Sequence, residues 1–229
     1  MTAPPRLSVI LPVHNQADHL AAIVDGYETA LALLAPAHET LLVVNGSRDR
    51  SEEVCAALAA RHPAVRVIAS ERGGWGLAVN LGIRASRGEH ICYTNSARTS
   101  PSDLVQVAAV GLANPGYVVK ANRKIREGRR RRAGSLLYNL QARALFDLPV
   151  WDINGTPKIF PRAFDALLDL RRDDDLVDLE FVVTCRERGY PIIEVPIFSA
   201  RRHGGKSTTS MDSAFRMYRG AFAMKQDRR

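Results

Sequence analysis

Short apolar runs alternate with stretches of helical spacing along the first half of the chain. Apolar, β-branched runs of this length are typical of buried parallel strands, and they occur at Leu7–Val13, Thr40–Val44, Val65–Ala69 and His90–Tyr93. Apolar positions three and four residues apart predict the intervening helices at Asp18–Leu34, Ser51–Arg61 and Trp75–Ser86. Ser51 is the predicted N-cap of the second helix, with acids in its first turn.

The pattern changes after Pro115, where basic residues become frequent. Strands are predicted at Tyr117–Ala121 and Ile192–Phe198, with a helix at Ser135–Phe146. Residues 123–132 are predicted to form a basic loop, and residues 201–207 a second loop rich in glycine and cations. The segment 213–229 interleaves aromatic and basic residues, which predicts a basic amphipathic helix lying on a membrane or on the acceptor site.

Strands alternating with helices predict an α/β fold with a mixed, mainly parallel sheet covered by helices on both faces. We expect a single domain over residues 1–229, with a nucleotide-binding half (1–115), an acceptor half (116–212) and the basic tail (213–229). Ligands of such sheets bind beyond the carboxyl ends of the strands.

Composition narrows the class of partner. The formal net charge of +8 favours an anionic partner such as a phosphate or an acidic membrane surface. The three cysteines lie far apart without metal-ligand spacing, which favours reduced residues in a cytoplasmic protein. No signal-peptide pattern or apolar run of membrane-spanning length is present, so we expect a soluble protein or a peripheral one on the cytoplasmic membrane face.

Polar side chains follow the first two strands and form the first candidate site. The first strand runs through Pro12 into His14, Asn15 and Gln16, and the second ends at Asn45-Gly46, followed by Asp49. Gly46 allows a tight turn, and the amide and carboxylate groups can bind a base or a ribose. Each segment alone is equally an ordinary strand-to-helix turn.

The order of these motifs resembles inverting family 2 glycosyltransferases of the GT-A fold, near the dolichol-phosphate mannose synthases and polyprenyl-phosphate glycosyltransferases. The similarity covers nearly the whole chain. It is carried by Pro12–Gln16, Val44–Asp49, the run ERGGWGLAVNLGIRASRGEHI, the basic run ANRKIREGRRRRAGSLLYN, WDINGTPKIFPR, and DLEFVVTCRERGYPIIEVPIFSARRHGGKS.

The resemblance implies transfer of a sugar from a nucleotide diphosphate to a phosphate-bearing acceptor, of which polyprenyl phosphate is one candidate. It implies nucleotide contacts at Pro12, His14, Asn15, Gln16, Asn45, Asp49, Trp75 and Asn95. It implies an acceptor-phosphate site at Arg123, Arg131, Arg132 and Ser135, whose arginines Asp152, Asp178 or Glu180 could orient. For Trp75, packing is an equal alternative to stacking on a base.

The chain departs from the family where the family holds a divalent metal between two aspartates. Thr94 and Ser96 stand at those positions, with Asn95 between them. Neutral hydroxyls are poor ligands for a hard cation, so we expect no metal cofactor, with Mg²⁺ or Mn²⁺ bound mainly through the substrate diphosphate as the alternative. The compensating catalytic charges would be Arg98, Arg201, Arg202 and Lys206.

Two other functions remain open at this point. A catalytically inactive homologue that binds a nucleotide or a protein partner would also keep the arginines and lose the acids. A polyanion-binding module is less favoured, because the basic residues are not interleaved with aromatic ones outside the tail, and no nucleic acid partner is expected. The oligomeric state does not follow from the sequence.

Overall fold

The computed structural model describes residues 3–124, 129–198 and 211–228, without the side chains of 129–133 and 211–215. The strands are β1 (Leu7–Val13), β2 (His38–Asn45), β3 (Val65–Ser70), β4 (His90–Tyr93), β5 (Val118–Arg123), β6 (Lys158–Pro161) and β7 (Ile192–Ile197). The helices are α1 (Leu20–Leu34), α2 (Ser51–Arg61), α3 (Trp75–Ala85), α4 (Pro101–Ala113), α5 (Arg129–Phe146), α6 (Val177–Arg188) and α7 (Met211–Asp227).

The strands form one seven-stranded sheet in the order β3-β2-β1-β4-β6-β5-β7. β6 runs antiparallel to both of its neighbours, and the other pairings are parallel. The expected mixed, mainly parallel sheet is therefore confirmed. The carboxyl ends of β1, β2 and β4 meet at one edge, which is where ligands of such sheets bind.

Successive side chains of a strand point to opposite faces, so the sheet has two apolar cores. Ile10 faces the core shared with α3, α5, α6 and α7. Leu11 faces the core shared with α1, α2 and α4. This division places α1 and α5 on opposite faces of the molecule.

Helix α4 begins immediately after the turn that follows β4. Ser100 is the N-cap of α4, and its hydroxyl accepts from the Asp103 backbone amide. The Asp103 carboxylate in turn accepts from the Ser100 backbone amide, and Pro101 occupies the first turn. This reciprocal cap fixes the direction in which the chain leaves β4. Among the described residues, no helix is long and apolar enough to cross a membrane.

The structure corrects two predictions about helices. The basic segment predicted as a loop to residue 132 is already helical from Arg129. The N-cap of α2 is Arg50 rather than Ser51, and no side chain caps it in the ordinary way. Asp49 instead accepts from the Ser51 amide at 3.0 Å and from its hydroxyl at 2.6 Å.

Candidate active site

An open cleft of about 490 Å³, here called the strand-end cleft, lies beyond the carboxyl ends of β1 and β2. It is lined by His14, Asn15, Gly46, Ser47, Arg48, Glu71 and Gly73. His14, Asn15 and Gly46 are thus brought together as the sequence suggested. Arg48, Glu71 and Gly73 were not among the predicted contacts, although they lie in the segments that carry the resemblance.

The cleft walls are held together by hydrogen bonds between the loops. The Asn15 carbonyl oxygen Oδ1 accepts from the Arg48 amide at 2.8 Å, and the Asn15 amide donates to Ser47 Oγ at 3.2 Å. Asn15 has a φ of +52°, a left-handed conformation that asparagine tolerates better than most residues. Gly46 has a φ of +57°, and a Cβ there would lie 2.8 Å from the Gly73 amide nitrogen.

Asn45 supports the cleft from below. Its Nδ2 donates to the backbone oxygens of Val13 (2.9 Å) and Val43 (3.3 Å), and its Oδ1 accepts from the Gly74 amide at 2.9 Å. The Asn45 backbone oxygen accepts from His14 Nδ1 at 2.7 Å. The buried amide therefore joins the ends of β1 and β2 to the start of α3, and its predicted contact with a base would compete with these bonds.

Asp49 is engaged in the same kind of bracing. Besides the bonds to Ser51, its Oδ2 accepts from the Ala17 amide at 3.1 Å. Desolvation opposes ionisation, but the bonds from Ser51 and Ala17 outweigh it and hold the pKa of Asp49 below its ordinary value. Both carboxylate oxygens thus bind the loops after β1 and β2, and neither Asp49 nor the strand residue Pro12 is among the residues lining the cleft.

The turn after β4 contains Thr94 and Ser96, at which the resemblance implied a departure from a pair of metal-binding aspartates. Thr94 and Ser96 are fully buried. The Ser96 hydroxyl donates to Gln16 Oε1, and Thr94 Oγ1 lies 2.8 Å from Thr99 Oγ1. Asn95 Oδ1 accepts from the Ala97 amide at 2.9 Å, so Gln16 and Asn95 both serve to hold this turn.

These residues do not fit a metal held by the protein. The hydroxyls at 94 and 96 are neutral, buried and already hydrogen-bonded. Over residues 3–124, 129–198 and 211–228, no group of three or more His, Cys, Asp or Glu side chains could hold a metal ion. The half-buried Arg98 follows in the same turn, where its amide donates to the Asn95 backbone oxygen.

Trp75 belongs to a buried polar group beside the cleft. Its Nε1 donates to Asp178 Oδ2 at 3.1 Å, and its ring meets Tyr93 edge-on at 6.4 Å. Asp178 Oδ1 accepts from the Tyr93 hydroxyl at 2.9 Å and from Lys158 Nζ. These contacts favour the packing role for Trp75, and they show that Asp178 orients a lysine, not an arginine as expected.

Two buried lysines lie side by side on the sheet. Lys120 of β5 and Lys158 of β6 are register partners, and both are fully buried. Burial, helped by the positive charge of neighbouring Lys120, lowers the pKa of Lys158 to about 8 although the negative charge of Asp178 opposes the shift. A charged residue inside an apolar strand was a visible signal in the sequence, and the predicted site did not include either lysine.

Arg123, at the end of β5, is held by a salt bridge with two contacts. Its Nε lies 2.8 Å from Asp152 Oδ2 and its Nη2 lies 2.9 Å from Asp152 Oδ1. The Arg123 amide also donates to Asp152 Oδ2 at 3.1 Å. The arginine side chain remains 25% exposed, so it can still meet an anion. The prediction that Asp152 orients an arginine is confirmed.

Glu194 of β7 holds the backbone next to the Arg123–Asp152 pair. It accepts from the backbone amides of Trp151 (2.9 Å) and Asp152 (3.2 Å) and from Lys120 Nζ at 3.1 Å. Lys120 Nζ also donates to the backbone oxygen of Asp152. Glu180, the third acid expected to orient the acceptor arginines, accepts from the backbone amides of residues 171 and 172 and lies 3.8 Å from Arg228 Nη2.

Most of the remaining predicted side chains fall outside the described part of the chain. Arg201, Arg202 and Lys206 lie outside the described residues. Arg131 and Arg132 lie in α5, but their side chains are also outside the description; Ser135 is half-buried in the same helix.

The tail predicted to rest on a membrane packs against the domain in the structure. The Tyr218 hydroxyl donates to the Gly134 backbone oxygen at 2.6 Å, and Gln141 Nε2 donates to the Tyr218 backbone oxygen at 3.1 Å. Ala221 and Met224 are buried in the core. The apolar face of α7 is therefore largely used inside the protein, which the amphipathic pattern alone could not distinguish from a membrane-facing helix.

The sequence model of Glycosyl transferase family 2 matches residues 8–167. The chain belongs to this family. The matched range contains the strand-end cleft, the turn after β4 and the Arg123–Asp152 pair, so the resemblance drawn from the motifs is confirmed.

Relatives of this family 2 chain include transferases named for lipid phosphates. It is 28% identical to an undecaprenyl-phosphate 4-deoxy-4-formamido-L-arabinose transferase of Pseudomonas paraeruginosa, over 89% of this chain and 60% of that protein. It is 26% identical to a dolichyl-phosphate hexose transferase of Haloferax volcanii, over 86% of this chain and 84% of that protein. The chain thus spans about 60% of the length of the bacterial relative.

Solved structures confirm the fold. Glucosyl-3-phosphoglycerate synthase from Mycobacterium tuberculosis, in complex with phosphoglyceric acid, superposes with a TM-score of 0.76 at 18% identity. The match covers 98% of this chain and 80% of that one. The expected GT-A fold is therefore shown.

The expectation of no metal cofactor is wrong. Structures of the same Mycobacterium tuberculosis synthase, sharing this fold at TM-scores of 0.74 and 0.75, contain Mn²⁺ together with UDP or UDP-glucose. The physical reason is that a diphosphate brings its own oxygen ligands for a hard cation. The hydroxyl residues at Thr94 and Ser96 are therefore not enough to infer a metal-free reaction.

Proposed function

We propose that this protein transfers a sugar from a nucleotide diphosphate to a phosphate-bearing acceptor, with polyprenyl phosphate as the favoured acceptor. The observation that carries the proposal is the strand-end cleft, which opens at the carboxyl ends of β1 and β2 in a family 2 domain. The names of the relatives, both transferases named for a polyprenyl or dolichyl phosphate, support the choice of acceptor.

The donor's nucleoside would occupy the strand-end cleft. Backbone groups of Gly46 and Gly73 are accessible there without a side chain in between, and Asn15, Ser47 and Arg48 add donors. The walls are fixed before binding by the bonds of Asn45 and Asp49, which lowers the entropy cost of ordering them around a ligand.

The acceptor phosphate would bind at Arg123. An arginine fork suits phosphate oxygens, and Asp152 fixes the fork's direction through both of its oxygens. Burial opposes the charge, but Asp152 outweighs it and raises the pKa of Arg123, so the cation persists at any working pH. Arg131, Arg132 and Ser135 remain predicted partners in the same role.

The bond changes follow from the charges of the two substrates. An oxygen of the acceptor phosphate attacks the anomeric carbon as the bond from that carbon to the diphosphate oxygen breaks, and the electron pair leaves with the diphosphate. A phosphate acceptor is already ionised near neutral pH, so no general base is needed. The negative charge that develops on the diphosphate needs cationic neighbours, for which Arg98, Arg201, Arg202 and Lys206 stay predicted.

Two glycine variants test the donor site. A Cβ at Gly73 would meet its nearest neighbours, Asn45 and His14, at 3.8 Å, so Gly73→Leu should place a side chain in the strand-end cleft without distorting the backbone. Gly116→Leu is the matched control, because a Cβ there meets nothing within 4 Å and Gly116 does not line the cleft.

The measurement is calorimetric titration with UDP, GDP, CDP and ADP in the presence of Mn²⁺. We expect one nucleotide to bind to wild type and to Gly116→Leu with equal affinity, and to Gly73→Leu at least about tenfold more weakly, since the added side chain would overlap the ligand. Binding that is unchanged in Gly73→Leu would place the nucleotide elsewhere.

A further inference from the structure

The outer face of α5 presents leucines to solvent. Leu136, Leu137 and Leu140 are 54%, 60% and 48% exposed, although the opposite side of the helix, with Tyr138 and Ala142, lies in the core. Residues three and four apart on a helix are neighbours, so the leucines form one continuous apolar surface. This surface, defined by Leu136, Leu137 and Leu140, is called the leucine face.

Aromatic side chains flank the same helix. Arg143 lies one turn beyond Leu140, and its guanidinium sits 3.9 Å from the centre of the Trp151 ring, which is 58% exposed. Helix α7 packs along α5 through Tyr218, which contacts Tyr138 and Gln141, and it exposes Phe222 to solvent. Tryptophan with an adjacent arginine is a pairing that suits the boundary between lipid and water.

Charge distinguishes a lipid surface from a protein partner. Helix α5 carries the arginines 129–132 and Arg143 and no acidic residue, and the whole chain has a net charge of +8. Near an anionic bilayer each such cation contributes about 1 kcal/mol of attraction. An apolar face on a purely cationic helix is the pattern of helices that lie in the interface without spanning it.

We propose that the leucine face of α5 docks the protein on an anionic lipid bilayer, with Trp151 and Phe222 at its margins. Docking on a bilayer is inferred independently of the proposed function, and only the purpose of docking rests on that function. In the sequence, α5 follows closely after β5, whose last residue is Arg123. A bilayer against α5 would therefore hold the head group of a lipid phosphate near that arginine. Docking itself is measured without any donor or acceptor.

The test compares flotation of the full chain with vesicles made from equal parts of phosphatidylcholine and phosphatidylglycerol. The test variant replaces Leu136, Leu137 and Leu140 together by glutamine. The control is Leu33→Gln, because Leu33 is 86% exposed but lies on α1, on the opposite face of the sheet. Since all four leucines are exposed, both variants should fold, which circular dichroism and nucleotide titration check.

We expect wild type and Leu33→Gln to float equally, and the triple variant to lose about tenfold or more in partition coefficient because it loses apolar contact with the interface. Tryptophan emission, to which both Trp75 and Trp151 contribute, should shift to shorter wavelength with vesicles in wild type and in Leu33→Gln but not in the triple variant. Phosphatidylcholine alone should bind wild type more weakly.

Three results would overturn the proposal. Equal flotation of wild type and the triple variant would move the contact to another surface. Failure of wild type to float at all would remove the bilayer as the occupant. Self-association of wild type in sedimentation, abolished by the triple substitution and without vesicle binding, would make the leucine face a contact between two copies. In each case nucleotide titration still tests the proposed function separately.

Discussion

The proposed nucleotide-binding half and the proposed acceptor half brace the ends of their strands with different chemistry. At the ends of β1 and β2, the bracing groups are mostly neutral: Asn45 binds three backbone groups, and Ser51 joins two loops. Around β5 and β6, the bracing groups are buried charges, with Lys120 and Glu194 behind the Arg123–Asp152 pair.

The difference matches what each edge is proposed to bind. A nucleoside offers hydrogen-bonding edges and a flat ring, for which fixed backbone groups and open space suffice. A phosphate needs a cation in a set direction, and a partly exposed cation such as Arg123 keeps its direction when a buried acid holds it. If this contrast is correct, substitutions in the two halves should fail in different ways.

The largest effect should come from removing the divalent cation. The turn after β4 offers no carboxylate at Thr94 or Ser96, so a cation would depend on the oxygens of the bound diphosphate. We expect EDTA to abolish sugar transfer and added Mn²⁺ to restore it, while nucleotide-free protein binds Mn²⁺ weakly in calorimetry. Full turnover in EDTA would contradict the metal requirement.

Asp152→Ala should lower the free energy of unfolding more than Asp173→Ala, Asn45→Ala or Asn114→Ala. It leaves Arg123 without its carboxylate in a largely buried setting, and breaking such a pair typically costs about 3–5 kcal/mol of unfolding free energy. Asp173→Ala is the control, because its 3.5 Å contact with Arg72 is exposed and is worth about 0–1 kcal/mol. Equal urea midpoints for the two variants would remove the contrast.

Asn45→Ala should have a smaller cost, shared between stability and nucleotide binding. The buried backbone oxygens of Val13 and Val43 lose a donor, for which we expect about 1–3 kcal/mol in urea unfolding. Nucleotide affinity should fall as well, since the loops lose their link to Gly74. Asn114→Ala, which removes a single bond to the Val110 oxygen, should change stability less and affinity not at all.

The smallest expected effect is a pH dependence from Lys158. Its pKa is about 8 in the folded protein and near its ordinary value of 10.5 once exposed. Between these values the unfolded chain binds the extra proton, so this residue makes stability rise with pH across that window. Wild type should therefore gain stability relative to Lys158→Met from pH 8 to pH 10, and a constant difference would show that the lysine is not desolvated.

Local pattern was enough to predict β1, α2 and β4 with their bounds, because each is a continuous apolar or periodic run. β6 was missed because its four residues, Lys158–Pro161, include a lysine and a proline. Helix α4 was not predicted, although its Ser100-Pro101 start and Asp103 form a recognisable capping signal.

The sequence predicted where the strand-end cleft lies, but it did not predict which residues contact one another around it. Residue types after β1 and β2 located the strand-end cleft, since strand ends of a parallel sheet meet at one edge. The partners of those residues did not follow, because they lie far away in sequence: Asn45 bonds Gly74, and Trp75 bonds Asp178. Only the folded chain decides which polar groups remain available to a ligand.

The central claim is that the donor binds in the strand-end cleft and the acceptor binds at Arg123. Its most direct test is a transfer assay with undecaprenyl phosphate and a panel of nucleotide sugars in Mn²⁺, run on wild type, Gly73→Leu and Arg123→Gln. We predict product with wild type, a raised KM for the donor alone in Gly73→Leu, and a raised KM for the acceptor alone in Arg123→Gln. If both variants raise the same KM, the separation of the halves is wrong. If folded wild type binds a nucleotide but forms no product with any donor, the protein is an inactive member of its family.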